Sequence, residues 1–127
     1  RTYHLRYTLT NTLTEAEQAT CNWYILGGVQ SGVDGQIVGG SGISVQRMLF
    51  YAPAGGTIGD ITSTGDVKDQ RTTTMDGQNV TTNVAYLEPG KSVTFEFDVT
   101  TSTKAKTDLT IDQSPSGKMT NDVDYHY

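Results

Sequence analysis

Trp23, Tyr24, Tyr51 and Tyr86 are the residues of this sequence best suited to holding a ligand. A flat ring with a polar edge can stack on the apolar face of a sugar. Two or more such rings on one exposed sheet face or loop rim would form a carbohydrate platform. Each of the four also sits in an apolar stretch, which favours the alternative that they fill the core or cap its ends.

Catalytic patterns are harder to find. A serine nucleophile needs a strained elbow such as G-x-S-x-G, and neither Ser31 nor Ser41 lies in one. A catalytic Cys21 thiolate would need a histidine close by in space, and the chain has only His4 and His126, one near each end. Cys21 is better read as a small buried hydrophobe. The same two histidines give no zinc spacing. The ten aspartates and four glutamates include no D-x-[DN]-x-[DN]-G calcium loop, leaving Asn121, Asp122 and Asp124 as the nearest approach to a surface site. Asp60, Asp66 and Asp76 read as turn formers, and Glu96 and Asp98 as solvated strand residues. Seven glycines between Leu26 and Gly42 invite a phosphate-cradle reading, but neither nucleotide-loop spacing occurs and no helix follows. That stretch is expected to be a flexible connection or an irregular hairpin. Asn79-Val80-Thr81 matches the glycosylation sequon. The residues therefore point to no catalytic, cofactor-binding or metal-binding set.

Bulk properties narrow the partners. A chain of 127 residues fits one domain, 1–127, able to bury roughly two-thirds of its unfolded surface. Net charge is −5 and the nine basic residues are scattered, Lys104 and Lys106 being the nearest to a cluster, which argues against nucleic acid. No apolar run approaches the ~20 residues that span a bilayer, and Arg1-Thr2-Tyr3-His4 has no signal-peptide core. The sequence reads as a piece of a larger protein.

Twenty-one threonines and fourteen glycines favour pleated, half-exposed surface interrupted by turns. Tyr3, Leu5, Tyr7 and Leu9 alternate with polar residues, predicting a strand from Tyr3 to Leu13. Thr14 to Ala19 is expected to be a loop or a single turn capped by Thr12 or Thr14. Cys21 to Leu26 reads as a short apolar strand. Ile43 to Tyr51 reads as a central strand, bulged near Arg47 and Met48 or covered on both faces. Thr57 to Thr64 is a further short strand, followed by a Gly65-Asp66 turn. Asp76-Gly77, between Arg71–Met75 and Gln78–Leu87, predicts a type I′ hairpin. In Glu88-Pro89-Gly90-Lys91, proline presets φ and glycine accepts positive φ, predicting a type II turn. Such a turn splays strands. The chain is therefore expected to cross there from one sheet to the other, placing Val93, Phe95, Phe97 and Val99 inward. Thr107 to Asp112 is expected to be a strand with Leu109 and Ile111 inward, and Met119 to Tyr127 a last edge strand.

The succession "RYTLTNTL", "MLFYAPAGGTI", "DGQNVTTNVAYLEPGKSVTFEFDVTT" and "LTIDQSPSG" resembles the carboxy-terminal region of a family of actinobacterial cell-envelope proteins, a domain of unknown function. The resemblance covers most of the chain and its motifs are structural. It implies a membrane anchor near the amino terminus of the parent protein and a β segment exposed outside the cell. It carries over no catalytic residue.

Together these readings predict an all-β, immunoglobulin-like two-sheet sandwich of about seven to eight mostly antiparallel strands. The function expected is that of a non-enzymatic extracytoplasmic structural or interaction module with a protein or envelope-glycan partner. The alternative is a carbohydrate-binding module that recognises envelope glycans.

Overall fold

The structure, a computed structural model, describes residues 1–22, 24–27, 30–31, 37–38 and 40–115. Two antiparallel sheets carry the fold. In the first, β1 (Thr2–Thr10) pairs with β9 (Ser92–Thr100) over its whole length, from Thr2 opposite Thr100 to Thr10 opposite Ser92. The other side of β9 receives two short strands, β5 (Thr57–Ile58) and β6 (Thr62–Ser63). In the second sheet, β8 (Gln78–Leu87) lies between β4 (Ser44–Tyr51) and β7 (Asp66–Met75). A separate ribbon pairs β2 (Gln30–Ser31) with β3 (Ile37–Val38), so the glycine-rich stretch contains a short hairpin.

The two strands at the sheet centres supply most of the core. Val93, Phe95, Phe97 and Val99 on β9 are all buried, as the alternation predicts, and they pack with Ala85 and Leu87 of β8 and with Ile61. The partly buried Met48 and Phe50 of β4 and Leu5, Tyr7 and Leu9 of β1 pack against this cluster. The chain is an all-β two-sheet sandwich.

Two turns set this arrangement. Asp76 and Gly77 both take positive φ, 50° and 77°, which a type I′ turn needs, and β7 and β8 flank them with Met75 opposite Gln78. At Pro89-Gly90, Gly90 has φ 72° and the Lys91 N–H donates to the Glu88 carbonyl at 3.0 Å. That type II geometry releases the chain from β8 in one sheet to β9 in the other.

Several expectations are corrected. β1 stops at Thr10 because the Asn11 side chain takes over the local hydrogen bonding: its amide donates to the Gly42 and Leu87 carbonyls at 2.8 and 2.9 Å, and its oxygen accepts from the Leu13 N–H. Residues Glu15–Thr20 form a short helix, α1, where a loop or a single turn was expected, and Thr14, one of the two expected caps, is its N-cap. A capping box starts it: the Thr14 hydroxyl accepts from the Glu17 N–H, and the Glu17 carboxylate accepts from the Thr14 N–H. Cys21 to Leu26 is no strand among its described residues. The Asn22 side chain accepts from the Tyr24 N–H and its carbonyl from the Ile25 and Leu26 N–H groups, folding the segment into a turn. Cys21 is half-buried.

β4 is the edge of its described sheet, with one face exposed, and it pairs with β8 without a break. The bulge lies instead on β7, between Lys68 and Arg71, where Asp69 adopts φ 56°. Aspartate tolerates that left-handed conformation better than most residues. Thr57 to Thr64 is two brief pairings with β9 rather than one strand, separated by Gly59, whose N–H donates to the Asp98 carbonyl. Thr107 to Asp112 forms no strand; Leu109 packs half-buried against the core, while Ile111 is exposed. The expected strand Met119 to Tyr127, His126 and the Asn121, Asp122 and Asp124 group lie outside the described residues.

Candidate interaction face

The two sheets turn opposite kinds of surface outward. On the first, Cβ positions alternate so that Thr2, His4, Arg6, Thr8 and Thr10 share a face with their β9 partners. Each of these pairs closes on itself. The Thr2, Thr8 and Thr10 hydroxyls meet Thr100, Thr94 and Ser92 at 3.0, 2.9 and 2.7 Å, His4 Nδ1 lies 2.9 Å from the Asp98 carboxylate, and Arg6 Nε donates to Glu96 at 2.6 Å. Each exposed ion pair adds no more than about 1 kcal/mol. Glu96 and Asp98, expected to be simply solvated, are tied to β1.

On the second sheet the outer face is apolar and cationic. The register aligns Val45, Tyr86 and Asp66 in one row, Arg47, Val84 and Lys68 in the next, and Leu49, Thr82 and Arg71 in a third. Tyr51 continues the β4 side of this face, and its hydroxyl approaches the Met75 sulfur at 4.0 Å. Val45, Leu49, Tyr51 and Met75 are all exposed large hydrophobics, from 39% to 55%. β-Branched and aromatic residues fit such pleated positions. Burying them needs something to lie on top.

The aromatic set is dispersed. Tyr24 is 76% exposed in the turn after α1, Tyr51 is 51% exposed, and Tyr86 is half-buried. None of the three fills the core, which corrects that half of the expectation that they fill the core or cap its ends: alternation puts Tyr51 and Tyr86 on the solvent side of their strands. Trp23 lies outside the described residues. Tyr51 and Tyr86 share a face, yet Tyr86 stands opposite Val45, six positions along β4 from Tyr51, or about 20 Å. They cannot sandwich one sugar ring between them. The Tyr86 ring also carries the Lys68 ammonium 4.8 Å from its centroid, in cation–π range, while that ammonium lies 3.6 Å from Asp66. Asp66 is thus a strand residue and Asp76 a turn residue.

Beside Tyr24, a hollow of about 410 Å³ is lined by Leu13, Glu17, Ile25, Leu26 and Ile43 among others. Gly42 at its rim has φ +76°, and a Cβ there would lie 2.5 Å from the Leu13 side chain. The hollow therefore depends on glycine at that position.

Other candidates are placed singly. Ser41 caps the Ile43 N–H, and Lys104 and Lys106 are exposed in the segment after β9. In the sequon, Asn79 is exposed near the hairpin, whereas Thr81 is buried and bonded to Thr72. No group of three potential metal ligands occurs among the described residues. No described helix is long and apolar enough to cross a membrane. Sequence reading treated Arg47, Lys68 and Arg71 as scattered charges. Only the strand register brings them onto one face.

No family model, curated protein or solved structure matches the chain.

Proposed function

We propose that this domain is a non-enzymatic extracytoplasmic structural or interaction module of a bacterial cell-envelope protein, working through the outer face of the β4-β8-β7 sheet. The observation that carries this reading is the contrast between the two outer faces. The β1-β9 face satisfies its own polar groups rung by rung, while the opposite face leaves Val45, Leu49, Tyr51 and Met75 in water. Contiguous exposed apolar surface with a charged component marks an interaction site more often than a bare surface. The envelope setting comes from the motif resemblance described above.

The test is co-sedimentation of the purified domain with isolated actinobacterial cell walls, comparing the parent with Leu49→Glu and Tyr51→Ser. Retention of the parent, with loss in both variants at unchanged thermal midpoint, is expected. Equal retention of all three, or none, overturns the reading.

A carbohydrate-binding module for envelope glycans is the second reading. It is favoured by the exposure of the Tyr24 and Tyr51 side chains, at 76% and 51%.

A further inference from the structure

The bulge in β7 makes a concavity of about 250 Å³ on the outer face, lined by Arg47, Asp69, Gln70, Arg71, Thr82 and Val84. Its geometry has a local cause. Asp69 at φ 56° adds one residue to β7 opposite Asn83, so Lys68 pairs with Val84 and Arg71 with Thr82. The inserted residue bends the strand edge and leaves a hollow between it and β4.

Arg47 on β4 and Arg71 on β7 line that hollow from opposite sides of β8. Neither Arg47 nor Arg71 has an ion-pair partner among the described residues, although the chain carries a net charge of −5 and its other two arginines are both paired. Arg1 engages Asp108 and Arg6 engages Glu96. In an acidic protein, two arginines that line one hollow without an ion-pair partner among the described residues form a ready-made anion site. The planar guanidinium fork matches a carboxylate in bidentate fashion.

The remaining lining narrows the ligand. Asp69 contributes a negative charge, so two guanidinium groups and one carboxylate leave the hollow with a net single positive charge. That balance neutralises a monoanion fully and a phosphate dianion only in part. An acidic peptide would bring several carboxylates to a chain that is already negative overall. The Asp69 carboxylate can accept from hydroxyls, the Thr82 hydroxyl donates to the Arg71 carbonyl at 3.4 Å and can still accept, the Gln70 amide is held by the Ile61 carbonyl at 3.3 Å, and Val84 adds an apolar wall. The hollow is smaller than the ~300 Å³ at which drug-sized sites begin, which suits a single ring.

We infer that this concavity binds the carboxylate of an acidic sugar, a uronic acid residue, with Arg47 and Arg71 on the carboxylate and Asp69 with Thr82 at the ring hydroxyls. This rests on the reading of the β4-β8-β7 face as the interaction face and names what one part of it recognises.

The test is a titration of the isotope-labelled domain with glucuronate, glucose, acetate and inorganic phosphate, followed by amide shifts. Glucuronate is expected to saturate shifts at Asp69, Gln70 and Thr82, well before glucose or acetate does. Arg47→Gln and Arg71→Gln should each weaken glucuronate about ten- to a hundredfold at unchanged thermal midpoint. Asp69→Asn should let phosphate compete. Equal response to acetate or to glucose, tighter binding of phosphate by the parent, or full glucuronate affinity in both arginine variants overturns the inference. If glucuronate fails while Leu49→Glu still abolishes cell-wall retention, the interaction face stands and only its acidic-sugar specificity falls.

Discussion

Phe50 of β4 meets Phe95 of β9 edge to face, with ring centroids 5.3 Å apart, and this contact joins one sheet to the other. Phe97 lies 5.0 Å from the same Phe50 ring and Tyr7 6.2 Å, so one half-buried aromatic ties together three strands of the two layers. Such ring pairs add about 0.5–1.5 kcal/mol beyond the area they bury. Phe95 itself is wholly buried. Phe95→Ala is expected to cost about 3–5 kcal/mol in urea unfolding, a large part of a domain's usual margin. Phe95→Leu should cost clearly less. No loss at all in Phe95→Leu would mean that the ring geometry contributes nothing.

Asn83 is the odd residue of this core. It is wholly buried on β8, between the partner strands at the level of the bulge, and neither its side-chain nitrogen nor its oxygen has a hydrogen-bond partner among the described residues. Leaving such groups unpaired costs about 1–3 kcal/mol. Asn83→Val, apolar, β-branched and closer to asparagine in volume than leucine, removes that cost and should raise the thermal midpoint. A fall would show that the amide has a partner in solution.

Gly56 and Gly77 separate two kinds of glycine requirement. At Gly77, φ is +77° and nothing lies within 4 Å of an added Cβ, so Gly77→Ala should cost only the backbone penalty of about 1–2 kcal/mol. At Gly56 the Cβ would lie 2.4 Å from the Thr100 carbonyl oxygen, which belongs to β9. Gly56→Ala should therefore destabilise more than Gly77→Ala in parallel thermal melts. The reverse order would place the end of β9 elsewhere.

Glu17 links α1 to pH. The Thr14 N–H and then its hydroxyl donate to the carboxylate, holding its pKa below the ordinary 4.5. A carboxyl lowered in the folded state contributes stability above about pH 4.5, and that contribution is lost as pH falls through the lowered value. Carbon-detected titration of Glu17 should give a midpoint under 4.5, with the Thr14 amide shifting in step. A midpoint at or above the ordinary value contradicts the capping box.

The parts of the fold legible in the sequence are those decided by one or two residues. Pro89-Gly90 and Asp76-Gly77 fix φ locally, and the Val93 to Val99 alternation fixes a buried face. Pairing was not legible. Nothing in Ile43 to Tyr51 says that β4 lies at an edge, and Leu109 and Ile111 alternate in a segment that is not a strand. Cys21 to Leu26 has the content of a strand, yet Asn22 turns it through its own side chain. The Thr14-Glu17 spacing did hold the signal for α1, outweighed by the helix's brevity. Of the candidate site, the four aromatic residues were visible as types, but their dispersal was not. The cluster of Arg47, Lys68 and Arg71 depends wholly on register.

The pairing of β1 with β9 has a consequence for biosynthesis. Thr2 and Thr100 touch across 98 positions of chain, so the first strand leaves the ribosome long before its partner exists. Until then Leu5, Tyr7 and Leu9 have no sheet to join, and the β7–β8 hairpin, closed by a two-residue turn, is the natural seed for ordering. The nascent β1 segment stays an unpaired apolar strand until β9 has been made, which exposes it to association with other chains.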